Sequence, residues 1–122
     1  MTIIEAINRT DDLKPNNFAQ ETKIRWLSEL DGRIRTEIID AYEGGEDTPF
    51  PGYGEEDLGT VLLVPFPYDD LYVRWLEAQI DYANNEYDKY NNSAAAFNSA
   101  YTAFSGQYHR THMPKGKKIR FW

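Results

Sequence analysis

A chain of 122 residues with no cysteine suits a single domain and a single core, without room for a cofactor domain beside a substrate domain. Disulfides, thiolate metal sites and cysteine nucleophiles are excluded, and no apolar run approaches the roughly 18 residues of a membrane helix. The net charge of −7 is divided: residues 1–88 hold 7 basic and 20 acidic side chains, a net of −13, and residues 89–122 hold 6 basic and no acidic ones, a net of +6, so the body should repel nucleic acid rather than grip it.

At the start, Thr2 and Glu5 fit a capping box, with Ile3, Ile4 and Ile7 as an apolar edge. This predicts a short first helix fading near Thr10-Asp11-Asp12, with Pro15 closing the region. Glu5 stands where a signal peptide carries basic charge and then a long apolar stretch, so an intracellular protein is expected, or one packaged with something made there. A second helix is predicted from about Phe18 to Glu43, because Ile24, Leu27, Leu30, Ile34, Ile38 and Tyr42 form one stripe. Trp26 lies off that stripe. Gly32 marks a place for a slight break, and Gly44-Gly45 a stop.

Residues 44–60, rich in glycine, proline and acids, read as a long acidic loop, and loops of that length often have a task. Val61-Leu62-Leu63-Val64 has the composition of a short strand, stopped by Pro65 and Pro67. A third helix is predicted to begin near Pro67, with Asp69 and Asp70 suiting its N-terminus. Tyr72, Leu76, Ile80, Ala83, Tyr87 and Tyr90 continue its stripe. Asn91-Asn92-Ser93 is either a break, with Ser93 capping the next segment, or a polar patch in one long helix. Ala94, Phe97, Tyr101, Phe104 and Tyr108 then step by 3 and 4, a heptad seam that should end by Met113-Pro114. The expected class is mainly α. It is a small bundle of about four helices over 1–114, with a long acidic loop, room for one short strand or hairpin, and an extended tail at 115–122.

Chemistry is hard to place on this chain. His109 and His112 stand three apart, as paired metal ligands do, but no acid lies near to complete a set, and histidine suits a helix C-terminus. Asp69-Asp70 and Glu55-Glu56-Asp57 are sequence neighbours that point apart, unlike a catalytic pair held across a cleft. Gly52-Tyr53-Gly54 lacks the strand, the third glycine and the helix of a nucleotide loop. No catalytic, cofactor-binding or metal residue is assigned, and no cofactor is expected.

Aromatics are the unusual feature, with nine tyrosines, six phenylalanines and three tryptophans. So many phenols exceed what one small core can bury with every hydroxyl satisfied. Some should face a neighbouring subunit, and the candidates are Trp26, Tyr72, Trp75, Tyr82, Tyr87, Tyr90, Tyr101 and Tyr108. The tail is the second candidate. Lys115, Lys117, Lys118, Ile119, Arg120, Phe121 and Trp122 alternate apolar with basic side chains at the end, as a strand added to a partner's sheet edge would.

Three stretches carry a family likeness: Val64-Pro65-Phe66-Pro67-Tyr68-Asp69-Asp70-Leu71-Tyr72, then Trp75-Leu76-Glu77-Ala78-Gln79-Ile80-Asp81, then Asn84-Asn85-Glu86 with Tyr90-Asn91-Asn92. Phe97-Asn98-Ser99-Ala100-Tyr101, His112-Met113-Pro114-Lys115 and the early Lys23 to Gly32 fit the same pattern. The chain resembles small phage and prophage head–tail connector proteins, also called adaptor or head-completion proteins, over most of its length. The resemblance implies a helical, non-enzymatic virion protein, assembled in the bacterial cytoplasm and located in the neck. It implies a ring, commonly twelve-fold, below the portal protein, which extends the DNA channel and meets the next neck or tail component. It also implies that the terminal segment, here 115–122, reaches toward the portal. DNA would pass without specific binding, which suits the acidic excess. Two other readings stand beside it. One is a small acidic phage regulatory protein that mimics charge on a basic host protein. The other is a small enzyme or ligand binder using the aromatic seam as its pocket.

Overall fold

The computed structural model of the protein describes residues 1–41 and 50–112. Among them are four α-helices: α1 (Ile3–Leu13), α2 (Gln20–Glu37), α3 (Leu71–Ala83) and α4 (Tyr87–Thr111), with short 3-10 turns at Ile39–Ala41, Glu55–Asp57 and Tyr68–Asp70. No helix among the described residues is long and apolar enough to cross a membrane.

The capping box of α1 forms as its sequence requires. Glu5 N donates to Thr2 Oγ1 at 3.3 Å, and Thr2 N donates to Glu5 Oε1 at 2.8 Å. Two further amides of the first turn find carbonyls in the chain that passes beside it, Ile3 N on Thr60 O and Ile4 N on Leu58 O, both at 3.0 Å. Leu62 N returns to Met1 O at 2.9 Å, so the N-terminus is laced to 58–62. The α-amino group of Met1 pairs with buried Asp69 at 3.3 Å.

The expected strand at 61–64 does not form; a single antiparallel bridge joins Thr2 and Val61. The reason lies in where the next amides go. Leu63 N donates to the Asp31 carboxylate and Val64 N to the Tyr72 hydroxyl, so side chains take the bonds a ladder would use.

Helix α2 is shorter than its stripe suggests, running from Gln20 to Glu37 before the 3-10 turn. It buries Ile24, Trp26, Leu27, Leu30 and Ile34, with Ile38 following. Gly32 stays helical rather than breaking the helix, and a Cβ there would meet the Phe50 ring at an ordinary 3.6 Å.

The boundary between α3 and α4 is not at Asn91-Asn92-Ser93, and the two are not one helix. The chain turns at Asn84-Asn85. Asn85 adopts a left-handed conformation at φ 60°. Its amide bonds Tyr82 O at 3.0 Å, and Glu86 N bonds Asp81 O at 2.9 Å, the Schellman pattern in which asparagine substitutes for glycine. Ser93 lies inside α4, where its hydroxyl donates to Asp81. Helices α3 and α4 then pack as a hairpin along an aromatic ladder: Trp75 on Phe97, Phe97 beside Tyr101, Tyr68 on Phe104, and Phe104 beside Tyr108. The mostly helical bundle agrees with the fold class expected from periodicity.

Candidate functional site

Two buried carboxylates organise the interior. Asp31, on α2, has no exposed surface. Its Oδ1 accepts from the Tyr72 hydroxyl at 2.6 Å, and its Oδ2 from the Tyr53 hydroxyl at 2.5 Å and from Leu63 N at 3.1 Å. Tyr72 accepts in turn from Val64 N at 2.8 Å. One carboxylate thus joins α2, α3 and two points of the irregular 50–64 segment. Burial raises the Asp31 carboxyl above its ordinary range, and its three donors pull only partly the other way. Burial and the facing carboxylate raise both phenols.

Asp81, on α3, is the second. It accepts from Lys14 Nζ at 2.8 Å and from Ser93 Oγ at 2.6 Å, and so joins the end of α1 to α3 and α4. The buried ammonium of Lys23 meets Asp11 at 2.8 Å. Among the described residues every buried side-chain nitrogen and oxygen has a hydrogen-bond partner, and no group of three or more histidine, aspartate or glutamate side chains is placed to hold a metal. His112 stacks on Tyr108 at 3.6 Å between ring centroids. The inward-facing acids Asp31 and Asp81 hold the fold together, while at the surface Glu21 and Glu55 line one shallow cleft between α2 and the 51–55 segment.

The aromatic interface candidates divide into two sets. Tyr72 is fully buried and Trp26 nearly so, and both are engaged inside the subunit: Trp26 meets Phe18 edge-on, and its carbonyl accepts from Trp75 Nε1 at 2.8 Å. They are therefore withdrawn as contact residues. Trp75, Tyr101 and Tyr108 are half-buried. Tyr101 donates to Glu37 at 2.8 Å under the Arg33 guanidinium, and burial with that bond pushes its hydroxyl up to about 12. Tyr82 and Tyr87 stand at the surface, 56% and 54% exposed, in edge-to-face contact at the α3–α4 turn, with half-buried Tyr90 against Tyr82.

Two surface features stand out. Phe66 is 84% exposed between Pro65 and Pro67, and the Phe66–Pro67 bond is cis. The outward face of α4 carries no charged side chain from Tyr90 to Tyr108. The sequence does signal the second of these, since that run is the longest in the chain without Asp, Glu, Lys or Arg. The tail residues Lys115, Lys117, Lys118, Ile119, Arg120, Phe121 and Trp122 lie outside the described residues, as does the 44–49 part of the acidic loop.

The chain matches no protein-family model, no curated protein and no solved structure.

Proposed function

We propose that this chain is a non-enzymatic structural subunit of a tailed phage, a head–tail connector that assembles as a ring below the portal protein. The observation that carries the reading is the division of its surface from its interior. The buried polar groups of the described fold are consumed in holding four helices together, while large aromatic side chains and an uncharged helix face stay exposed. Such a subunit offers surfaces rather than a reaction centre.

The motif residues support this reading by what they do. Tyr72 fastens Asp31, Trp75 bonds the α2 backbone, Asp81 collects Lys14 and Ser93, and Asn85 makes the turn. The resemblance therefore runs through residues that build a bundle. The acidic body suits a channel wall along which DNA slides without sticking. The basic, aromatic segment 115–122 is proposed as the portal-docking arm, with neck or tail completion proteins on the far side of the ring.

Affinity capture of the tagged protein from phage-producing cells tests this reading. Portal and neck proteins should be recovered with the full chain, and portal recovery should be lost when residues 115–122 are removed. Recovery of one basic host protein instead, weakening steeply with salt, would establish the charge-mimic reading and remove the connector.

A further inference from the structure

We propose that the outward face of α4 is the surface on which a second copy of this chain packs. The proposal deepens the connector reading and rests on its claim of self-assembly.

Of the 25 residues in α4, only Phe97 and Phe104 are buried. Among the described residues the helix packs chiefly on α3, with a smaller contact to the 68–70 turn. Asn91, Ala95, Asn98, Ser99 and Thr102 remain exposed. A solvent-facing helix surface is ordinarily charged, and α1 and α2 follow that rule with exposed Glu5, Asp12, Glu21, Glu29 and Glu37. The nineteen residues Tyr90–Tyr108 carry no acid, lysine or arginine at all. Charge depletion of this kind marks the core of a protein interface.

Charge also selects the occupant. The chain up to Asp88 holds all 20 acids, so two copies that meet through the acidic faces of α1 or α2 bring carboxylates onto carboxylates. Like charges placed opposite each other oppose association. Between Tyr90 and Tyr108 the α4 face brings none of its own, with Asp88 in the first turn and Glu37, held by Tyr101, at its borders. Tyr82 and Tyr87 begin the same face at its N-terminal end and supply aromatic anchors. Its C-terminal half is concave, a groove of about 490 Å³ lined by Tyr101, Thr102, Ser105, Gly106, His109 and Arg110. Gly106 is not needed by the subunit itself. Among the described residues a Cβ there would meet only the Arg110 guanidinium, at an ordinary 3.5 Å, and mid-helix glycine is unfavourable relative to alanine. The glycine leaves open a groove into which a neighbour's side chain fits.

The absence of cysteine makes the test direct. Ala95→Cys and Thr102→Cys are placed singly on the face, and Glu29→Cys, exposed on α2, serves as the comparison. The purified full-length variants are labelled at the cysteine with benzophenone-4-maleimide, because neighbours in a ring meet through two different patches and a cysteine need not face its own copy; they are checked for native helix content by circular dichroism, irradiated, and examined by denaturing electrophoresis and native mass spectrometry. Both α4 variants should cross-link between copies, and more strongly than Glu29→Cys. Ala95→Glu and Gly106→Ala should weaken self-association about tenfold or more while leaving thermal unfolding unchanged or, for Gly106→Ala, raised. Cross-linking through Glu29→Cys alone would overturn the α4 surface and leave a self-assembling connector standing. A chain that stays monomeric at every concentration, with no cross-link from either α4 variant in virions, would overturn the surface and the ring together.

Discussion

The two long helices of this protein have opposite chemistry. Helix α2 turns a carboxylate inward, and Asp31 draws two tyrosines and a backbone amide from distant parts of the chain onto itself. Helix α4 is longer, buries only two side chains, and presents an outer surface without Asp, Glu, Lys or Arg from Tyr90 to Tyr108. One helix spends its polar groups on folding, and the other withholds charge from solvent. If α4 is the assembly surface as proposed, stability and assembly fall on different residues, and each can be broken without the other.

The largest effect should come from Asp31→Ala. It leaves two buried or half-buried phenols and the Leu63 amide without their acceptor, each worth about 1–3 kcal/mol when unsatisfied. A loss of about 3 kcal/mol in urea unfolding is expected. Asp81→Ala should cost somewhat less, about 2 kcal/mol, because Lys14 keeps partial access to water after its partner is gone. Its measured loss should coincide with loosening between α1 and α4, visible as faster amide exchange at both.

The pH dependence sharpens the same contrast. Burial raises the Asp31 carboxyl, so the folded protein binds that proton more tightly than the unfolded chain does. Its contribution to stability therefore falls as pH rises through the folded value, and it is regained on acidification toward the ordinary 3.8. Glu37, held low by its hydrogen bonds from Tyr101 and Arg33, acts in the opposite sense, helping above the ordinary 4.5 and losing that help as pH falls. Unfolding midpoints of the native protein minus those of Asp31→Asn should climb as the pH is lowered through the raised folded value toward the ordinary 3.8. A flat difference would show that Asp31 does not bind its proton more tightly on folding.

The smallest effect on stability belongs to the α4 surface. Thr102→Glu should stay within about 0.5 kcal/mol of the native protein in urea, as surface changes usually do. It should nonetheless fail to assemble. A variant that lost both properties together would join the two regions this account separates.

Much of the bundle was legible in the sequence because local signals and packing agree. Thr2 and Glu5 announce the first helix, the Ile24 to Ile38 stripe gives the core face of the second, and Phe97, Tyr101, Phe104 and Tyr108 give the ladder of the fourth. What could not be read depends on partners far apart in the chain. The strand at 61–64 is lost to Asp31 and Tyr72, one 32 residues from Leu63 and the other a phenol whose aim the sequence does not show. The helix break falls at Asn84-Asn85 rather than at the richer Asn91-Asn92-Ser93 cluster, because the left-handed conformation at Asn85 closes α3 while Ser93 is held by Asp81. Tyr72 and Trp26 show the same limit for the site. Residue type marks an aromatic as fit for an interface, but only the packing shows which aromatics are already engaged.

Copy number in purified virions is the most direct measurement of the central claim. Quantitative mass spectrometry of particles, standardised on the portal protein, should find this chain at a fixed ratio that matches one complete ring per neck. Particles that lack the chain would contradict the structural role.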